Sequence, residues 1–485
     1  MKSPKNYQPF GLLLIIYMSK MLMVNKMKFK LDTFERYLIL IYLALLLVWH
    51  PWINSDGISY YAQVRSFFID HDLQYANEFA HYRSVFEKKN EIILNQLGGI
   101  SQYHPASVEE SIFSPAEEKT LTGHTPNRVS IGPAILWTPF FLAGHILASL
   151  VDTFFQTEFA DGYSLFYVIP VTWGTTIYGL LGLILTFRLC RYFFSSKTAL
   201  LAIIALWFST PLIYYMYLVP SMAHTLAFFT IALFIYFWWK WRTAYSAPRM
   251  FLLGLMAGLV VLVRWQNLFI IGLPLVDMGI NRTENHVKKI IFLLSGFGTG
   301  CLPQIIIWKI IYGTFVLIPI GKETMNWTSP RILSVLFSSQ HGFFLWNPIY
   351  LFCITGLFFL VKKQKLLAGF SLVFFLLEVY INSVPTNWYC GSSFGYRRLL
   401  DLLPFYALGL GYWVDKNTHQ KADYAWILLF TLLSLWNMGF MVQFALGKIS
   451  HTDPVNFYEV TMNQIFWLPA KLSHILSYLA GRLIP

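Results

Sequence analysis

The chain has 485 residues, 56% of them hydrophobic and only 12% charged, and its mean hydropathy is +0.52. Soluble domains carry about 25% charged residues, so composition excludes a large soluble protein and points to a multi-pass helical membrane protein. The net charge of +12 signals no nucleic-acid partner, because the basic residues form short clusters between apolar runs, as the positive-inside rule requires.

The expected organisation is all-α: a polytopic integral membrane helix bundle of about eleven spans. Residues 1–35 form a cytoplasmic N-terminal segment, 36–446 the transmembrane module, and 447–485 an external or interfacial tail. Phe10–Tyr17 is apolar but too short to span, and no small-residue cleavage site follows it, so it does not read as a cleavable signal. Lys26, Lys28, Lys30 and Arg36 precede the first span (37–52) and place the N-terminus inside. The four cysteines, Cys190, Cys301, Cys353 and Cys390, have neither metal nor redox spacing.

The first external loop, 53–162, is the only large hydrophilic region. It holds thirteen acidic residues against six Lys/Arg, and it opens on Asp56 in Trp52-Ile-Asn-Ser-Asp-Gly-Ile-Ser-Tyr-Tyr61. Asn-Ser-Asp-Gly is also a turn signal, but a carboxylate at the mouth of a helix bundle can take a proton from an acceptor hydroxyl or amine. Asp70, Asp72 and Glu78 follow without a coordination spacing and read as structural hydrogen-bonding groups. The apolar stretch 131–151 looks like a second span. A crossing there would invert the charge rule for every later loop, so it reads as lying in the outer interface, and Pro133 and Pro139 fit an interfacial or broken helix better than a regular span. Spans are then expected at 163–187, 198–214, 222–239, 250–263, 268–280, 290–312, 342–361, 366–383, 399–414 and 422–446.

Arg264 lies in Leu262-Val-Arg-Trp-Gln-Asn267, between apolar stretches of 14 and 13 residues. Neither stretch reaches across a bilayer alone, so the turn between them should be sunken, and an ionisable group at depth is a functional candidate. The loop 313–341 adds Lys322 and His341. A histidine at a span's mouth has the chemistry to touch phosphate or shuttle a proton, and is as often structural. The last motif is Asn387-Trp-Tyr-Cys-Gly-Ser-Ser-Phe-Gly-Tyr-Arg-Arg398. Arg397 and Arg398 stand where external positive charge is disfavoured, and the guanidinium fork suits phosphate. Trp388, Tyr389 and Tyr396 offer stacking faces for a sugar or isoprenoid.

An acid after the first span, an interfacial helix in the first loop and a late Trp…Gly-Ser-Ser-Phe-Gly-Tyr-Arg loop together resemble the GT-C superfamily of integral membrane glycosyltransferases. Protein O-mannosyltransferases and lipid A aminoarabinose transferases are among its members. The resemblance covers roughly 36–446 and implies a GT-C-like fold in a bacterial inner membrane, with the site facing the periplasm or exterior. It implies a polyprenyl-phosphate sugar as donor, with membrane lipid and an unidentified acceptor as further partners. Asp56 matches the family's catalytic acid, and Arg264, Arg397 and Arg398 sit where donor phosphate would be held, with Lys322, His341, Trp388 and Tyr396 as further substrate contacts. No obligatory metal or cofactor is expected. Two departures stand out: Gly57 follows Asp56 where many relatives have a second acid, and the tail is too short for a folded external domain. The rival readings are a transporter or flippase of a lipid-linked or anionic solute, and a surface-polysaccharide polymerase or ligase. No internal repeat of span groups supports a transporter.

Overall fold

The computed structural model describes residues 31–96, 119–281, 285–317, 325–416 and 420–471. Among these the chain is all helical, with one isolated bridge, Met325 to Pro385, and no strand. Among the described residues five helices are long and apolar enough to cross a membrane. They are numbered here within the full set of α-helices.

Helix α1 (Thr33–Leu45) starts on a capping box, in which Asp32 and Glu35 satisfy each other's backbone N–H groups. The first loop contributes α2 (Asp56–Arg65), α3 (Ala76–Gln96) and α4 (Gly132–Phe155). The bundle continues through α5 (Leu165–Cys190), α6 (Ser196–Ser209), α7 (His224–Trp241), α8 (Ala247–Val263), α9 (Gly272–Ile280) and α10 (His286–Tyr312). After two short helices, α11 (Ile332–Phe337) and α12 (Phe343–Trp346), come α13 (Ile349–Leu360), α14 (Lys365–Ser383), α15 (Leu403–Lys416), α16 (Gln420–Ala445) and the short α17 (Phe457–Met462). Each of the expected apolar spans contains helix, and those at 198–214 and 342–361 are interrupted, at Thr210 and at Asn347–Pro348.

The stretch 131–151 departs from expectation. It is an unbroken helix, α4, long and apolar enough to cross a membrane. Pro133 falls in its first turn, where proline removes no intrahelical bond. Pro139 lies inside, and the neighbour α5 braces it. The indole of Trp137 donates to Thr175 Oγ1 at 2.9 Å, the hydroxyl of Tyr178 donates to the Leu136 carbonyl at 3.0 Å, and Gly144 lies flat on the Phe166 backbone. Because 136 pairs with 178 and 144 with 166, the two helices run antiparallel.

One end of the bundle gathers the basic clusters, and carboxylates meet them. Arg188 pairs with Glu35 and Arg191 with Asp32, both at 2.5 Å, Lys197 with Asp423 at 2.7 Å, and Arg242 with Asp277 at 3.3 Å. From this end α8 and α10 rise in parallel. Gly254 packs on Gly296 and Gly258 on Gly300, a small-xxx-small seam that lets two backbones touch where hydrocarbon tails give no hydrophobic drive for association.

Helix α8 stops at Val263, and Arg264 is extended (φ −148°, ψ 110°) before a 3-10 turn, Trp265–Ile271. Gly132 touches the Leu262–Val263 backbone, and the adjoining Ile131 N–H donates to Gln304 Oε1 at 2.8 Å. Arg264 is therefore near the level of Gln304, while α10 runs on to Tyr312, about 12 Å further at 1.5 Å per residue. The turn thus lies short of the end of α10. A second break lies between α6 and α7, where 210–223 is mostly buried non-α backbone. The carbonyls where α6 gives way to it are answered by side chains: Asn437 Nδ2 donates to Phe208 and Thr210, and Asn347 Nδ2 to Ser209. Irregular backbone at depth survives only when it is satisfied in this way.

Candidate functional site

The site forms where these breaks meet the start of the first loop. Ser55 has φ 49°, and Asp56 is the first residue of α2. Asn54 is tied to Ser221 in the α6–α7 break, its N–H donating to Ser221 Oγ at 3.2 Å. Gly57 fits because it has no side chain: a Cβ there would lie 2.5 Å from Ser221 Oγ and 2.7 Å from its carbonyl oxygen. A side chain at position 57 is thus disfavoured by the Ser221 side chain and backbone.

The Asp56 carboxylate is 43% exposed and lies 3.4 Å from Nη2 of Arg397. One helical turn on, Tyr60 lies within electrostatic reach of Asp56, Arg264, Arg397 and Asp401. Burial, and then the Asp56 charge, push its phenol upward, so Tyr60 is a neutral hydrogen-bond donor beside the carboxylate.

Arg264 is 11% exposed, with Nε 3.1 Å from Asp401 Oδ2. It also bonds the Nδ1 of His224 at the start of α7. A guanidinium only donates, so that nitrogen accepts. Asn267 Nδ2 holds the same Asp401 oxygen at 2.9 Å. His224 in turn lies within electrostatic reach of Arg264, Arg397 and Arg398. Arg398 donates from Nη2 to Asn387 Oδ1 at 3.0 Å, and its carbonyl accepts from Gln266 at 3.3 Å. Its Nη1 is buried without a partner, as are Asp401 Oδ1, Asn267 Oδ1 and Glu378 Oε1.

Asp56, Arg264, Arg397 and Arg398 therefore share one neighbourhood, assembled from α2, the Arg264 turn and the loop before α15. The remaining expected site residues are placed differently. Tyr396 is 2% exposed, and its hydroxyl donates to the carbonyls of Trp388 and Asn382 at 3.0 and 3.2 Å. It holds the loop and presents no stacking face, because the loop folds over it; Trp388 and Tyr389 stay half-buried. His341 is fully buried, with Nδ1 2.6 Å from the Tyr389 carbonyl, so it braces the loop and is shielded from direct contact with a ligand. Lys322 lies outside the described residues. Asp70, Asp72 and Glu78 serve the fold: Arg65 pairs with Asp70 at 2.5 Å and Glu78 at 2.7 Å, and Ser66 donates to Asp72 at 2.7 Å. Among the described residues no three His, Cys, Asp or Glu side chains come together to hold a metal ion.

The sequence reading passed over Tyr60, His224, Asp401 and Glu378. Glu378 carried a usable signal, being an acid in the interior of the apolar span 366–383. Asp401, at a span's mouth four residues after Arg397, carried a weaker one. His224 and Tyr60 carried none, because only tertiary packing sets them beside the arginines.

The fold and site define a class: an all-α protein with helices apolar enough to cross a membrane and a cluster of charged side chains towards one end of its bundle. No family model matches the chain, and no curated protein is significantly similar to it.

Proposed function

We propose that this protein is a membrane glycosyltransferase that moves a sugar from a polyprenyl-phosphate donor to an acceptor hydroxyl or amine at the outward face of a bacterial plasma membrane. One observation carries the reading. A half-exposed carboxylate, Asp56, is paired with Arg397 in a charged cluster that also holds Arg398 and the buried Arg264–Asp401 pair. General-base chemistry and phosphate binding are the two things such a set does well.

In this reading the donor phosphate lies against Arg397 and Arg398, with Arg264 behind them. The acceptor oxygen or nitrogen attacks the anomeric carbon from the Asp56 side, forming the new glycosidic bond. The bond from that carbon to the phosphate oxygen breaks and polyprenyl phosphate leaves. The acceptor proton passes to the Asp56 carboxylate. Direct displacement inverts the anomeric centre. The guanidiniums stabilise negative charge as it grows on the leaving phosphate, a role that needs prepositioned cations rather than a metal. Arg397 already holds Asp56, so it links the two halves of the reaction.

The test is Asp56→Asn in membranes supplied with labelled polyprenyl-phosphate sugar. Losing the base should lower transfer by ~100-fold or more. Thermal stability should hardly change, because a half-exposed pair is worth about 0–1 kcal/mol. Transfer at near wild-type rate would remove Asp56 from the chemistry.

A further inference from the structure

The loop Asn387–Arg398 delivers two of the three guanidiniums, and its path is strained. Cys390, Gly391 and Gly395 have φ of 70°, 63° and 63°. Glycine adopts such angles freely; a cysteine there must be held by its surroundings.

Two histidines hold the turn, each from a different segment. His341, in the segment between α11 and α12, itself has φ 59°. Its Nδ1 faces the Tyr389 carbonyl at 2.6 Å, and a carbonyl only accepts, so Nδ1 carries the ring's proton. The ring lies edge-on to Trp346 at 4.8 Å, whose indole donates to the Ser339 carbonyl at 2.9 Å. His451 comes from the tail after α16. Its Nε2 faces the Phe444 carbonyl at 2.8 Å, so there the proton is on Nε2 and Nδ1 is left to accept from Ser392 Oγ at 3.4 Å. The His451 ring stacks on Phe444 at 4.0 Å. The same tail is tied to the His341 segment by Val455 N–H to Ser339 at 3.3 Å and by Gln340 to the Thr452 carbonyl. Burial keeps both imidazoles below their ordinary range, His341 down to about 4, so both are neutral at neutral pH, as their opposite tautomers require.

We infer that His341 and His451 form a positioning pair. They fix the turn Tyr389–Ser392 from two sides and thereby set where Arg397 and Arg398 present their guanidiniums. The C-terminal segment Gly447–Asn456 is in consequence a working part of the anion-binding pocket. Its link to phosphate rests on the function proposed above; the loop-holding role does not.

The full chain in detergent allows both parts to be read. Cys390 is 1% exposed, so maleimide labelling at that residue, located by mass spectrometry, reports opening of the turn without reference to function. Labelling at Cys301 is the internal reference. Farnesyl phosphate serves as the anion probe. His451→Ala and His341→Leu should each raise Cys390 labelling about tenfold and weaken probe binding about tenfold, the factor lost with one buried hydrogen bond. His341→Asn keeps a donor at the Nδ1 position and tolerates positive φ; His451→Gln keeps the donor to Phe444. Both should stay within about threefold of wild type in each readout. Ser392→Ala opens the same bond from the other side if His451→Ala does not fold. Unchanged Cys390 labelling in the Ala and Leu variants overturns the pair. Increased labelling with unchanged probe affinity overturns the link to the anion site. A wild-type chain that fails to bind the probe counts against the proposed function, while the labelling still decides the loop-holding role.

Discussion

Replacing Asp401 by alanine should destabilise the protein strongly, and the structure indicates by how much. Its carboxylate is 1% exposed and sits 3.1 Å from the Arg264 guanidinium, itself only 11% exposed. The other close partners of this pair, His224 and Asn267, are here uncharged. Removing the carboxylate leaves a buried cation uncompensated, which costs about 3–5 kcal/mol. Asp401→Asn keeps an acceptor oxygen and gives up only the charge, so its cost should be smaller, about 1–3 kcal/mol. The double variant Arg264→Leu/Asp401→Leu removes both charges and should recover most of the loss, since a buried pair replaced by apolar groups is often close to neutral. The assay is thermal unfolding in detergent. With an unfolding entropy of ~2.1 cal/mol/K per residue, a chain of 485 residues shifts by roughly 1 °C per kcal/mol. Asp401→Ala should thus fall by about 3–5 °C and the double variant by about 1 °C or less. A double variant that falls by the sum of the two single variants would show that the charges do not compensate each other, and the reasoning fails.

Two further outcomes follow from the same structure. A Cβ on Gly258 would lie 2.7 Å from Gly300 Cα, whereas one on Gly298 meets nothing within 4 Å. Gly258→Leu should lower the melting temperature by the overpacking cost of about 1–3 kcal/mol or more, and Gly298→Leu on the facing helix should not; equal melting temperatures would refute the seam. Burial holds His341 at about 4, below its ordinary 6.5, so the unfolded chain takes up a proton in a range where the folded one does not. Its contribution is complete above pH 6.5 and is lost as pH falls towards 4, by about 3 kcal/mol at most. As pH falls through that window the melting temperature of wild type should therefore drop relative to that of His341→Asn; a pH-independent difference would refute the assignment.

Much of this protein could be read before any fold was known, because membrane solubility imposes a local code. Apolar runs had to be helices, since a backbone in hydrocarbon satisfies its own hydrogen bonds only that way. The two short runs on either side of Arg264 implied a sunken turn from length alone, and in the structure that turn lies short of the end of α10. The guanidiniums of Arg397 and Arg398 stood out because their charge runs against the loop bias. The same code says nothing about which side chains meet. Asp401 reaches Arg264 across more than a hundred residues, His224 joins them from another helix, and Ser221 denies Gly57 a side chain. Tyr396 and His341 looked available because sequence marks them as polar and near a mouth; burial turned them into braces. Pro133 and Pro139 fitted an interfacial or broken helix, yet α4 runs through both of them with α5 packed along it. Local chemistry therefore determined the helices and drew attention to the charges, while long-range packing decided their partners, because a contact between distant segments depends on how whole helices pass one another and leaves no mark in either segment alone.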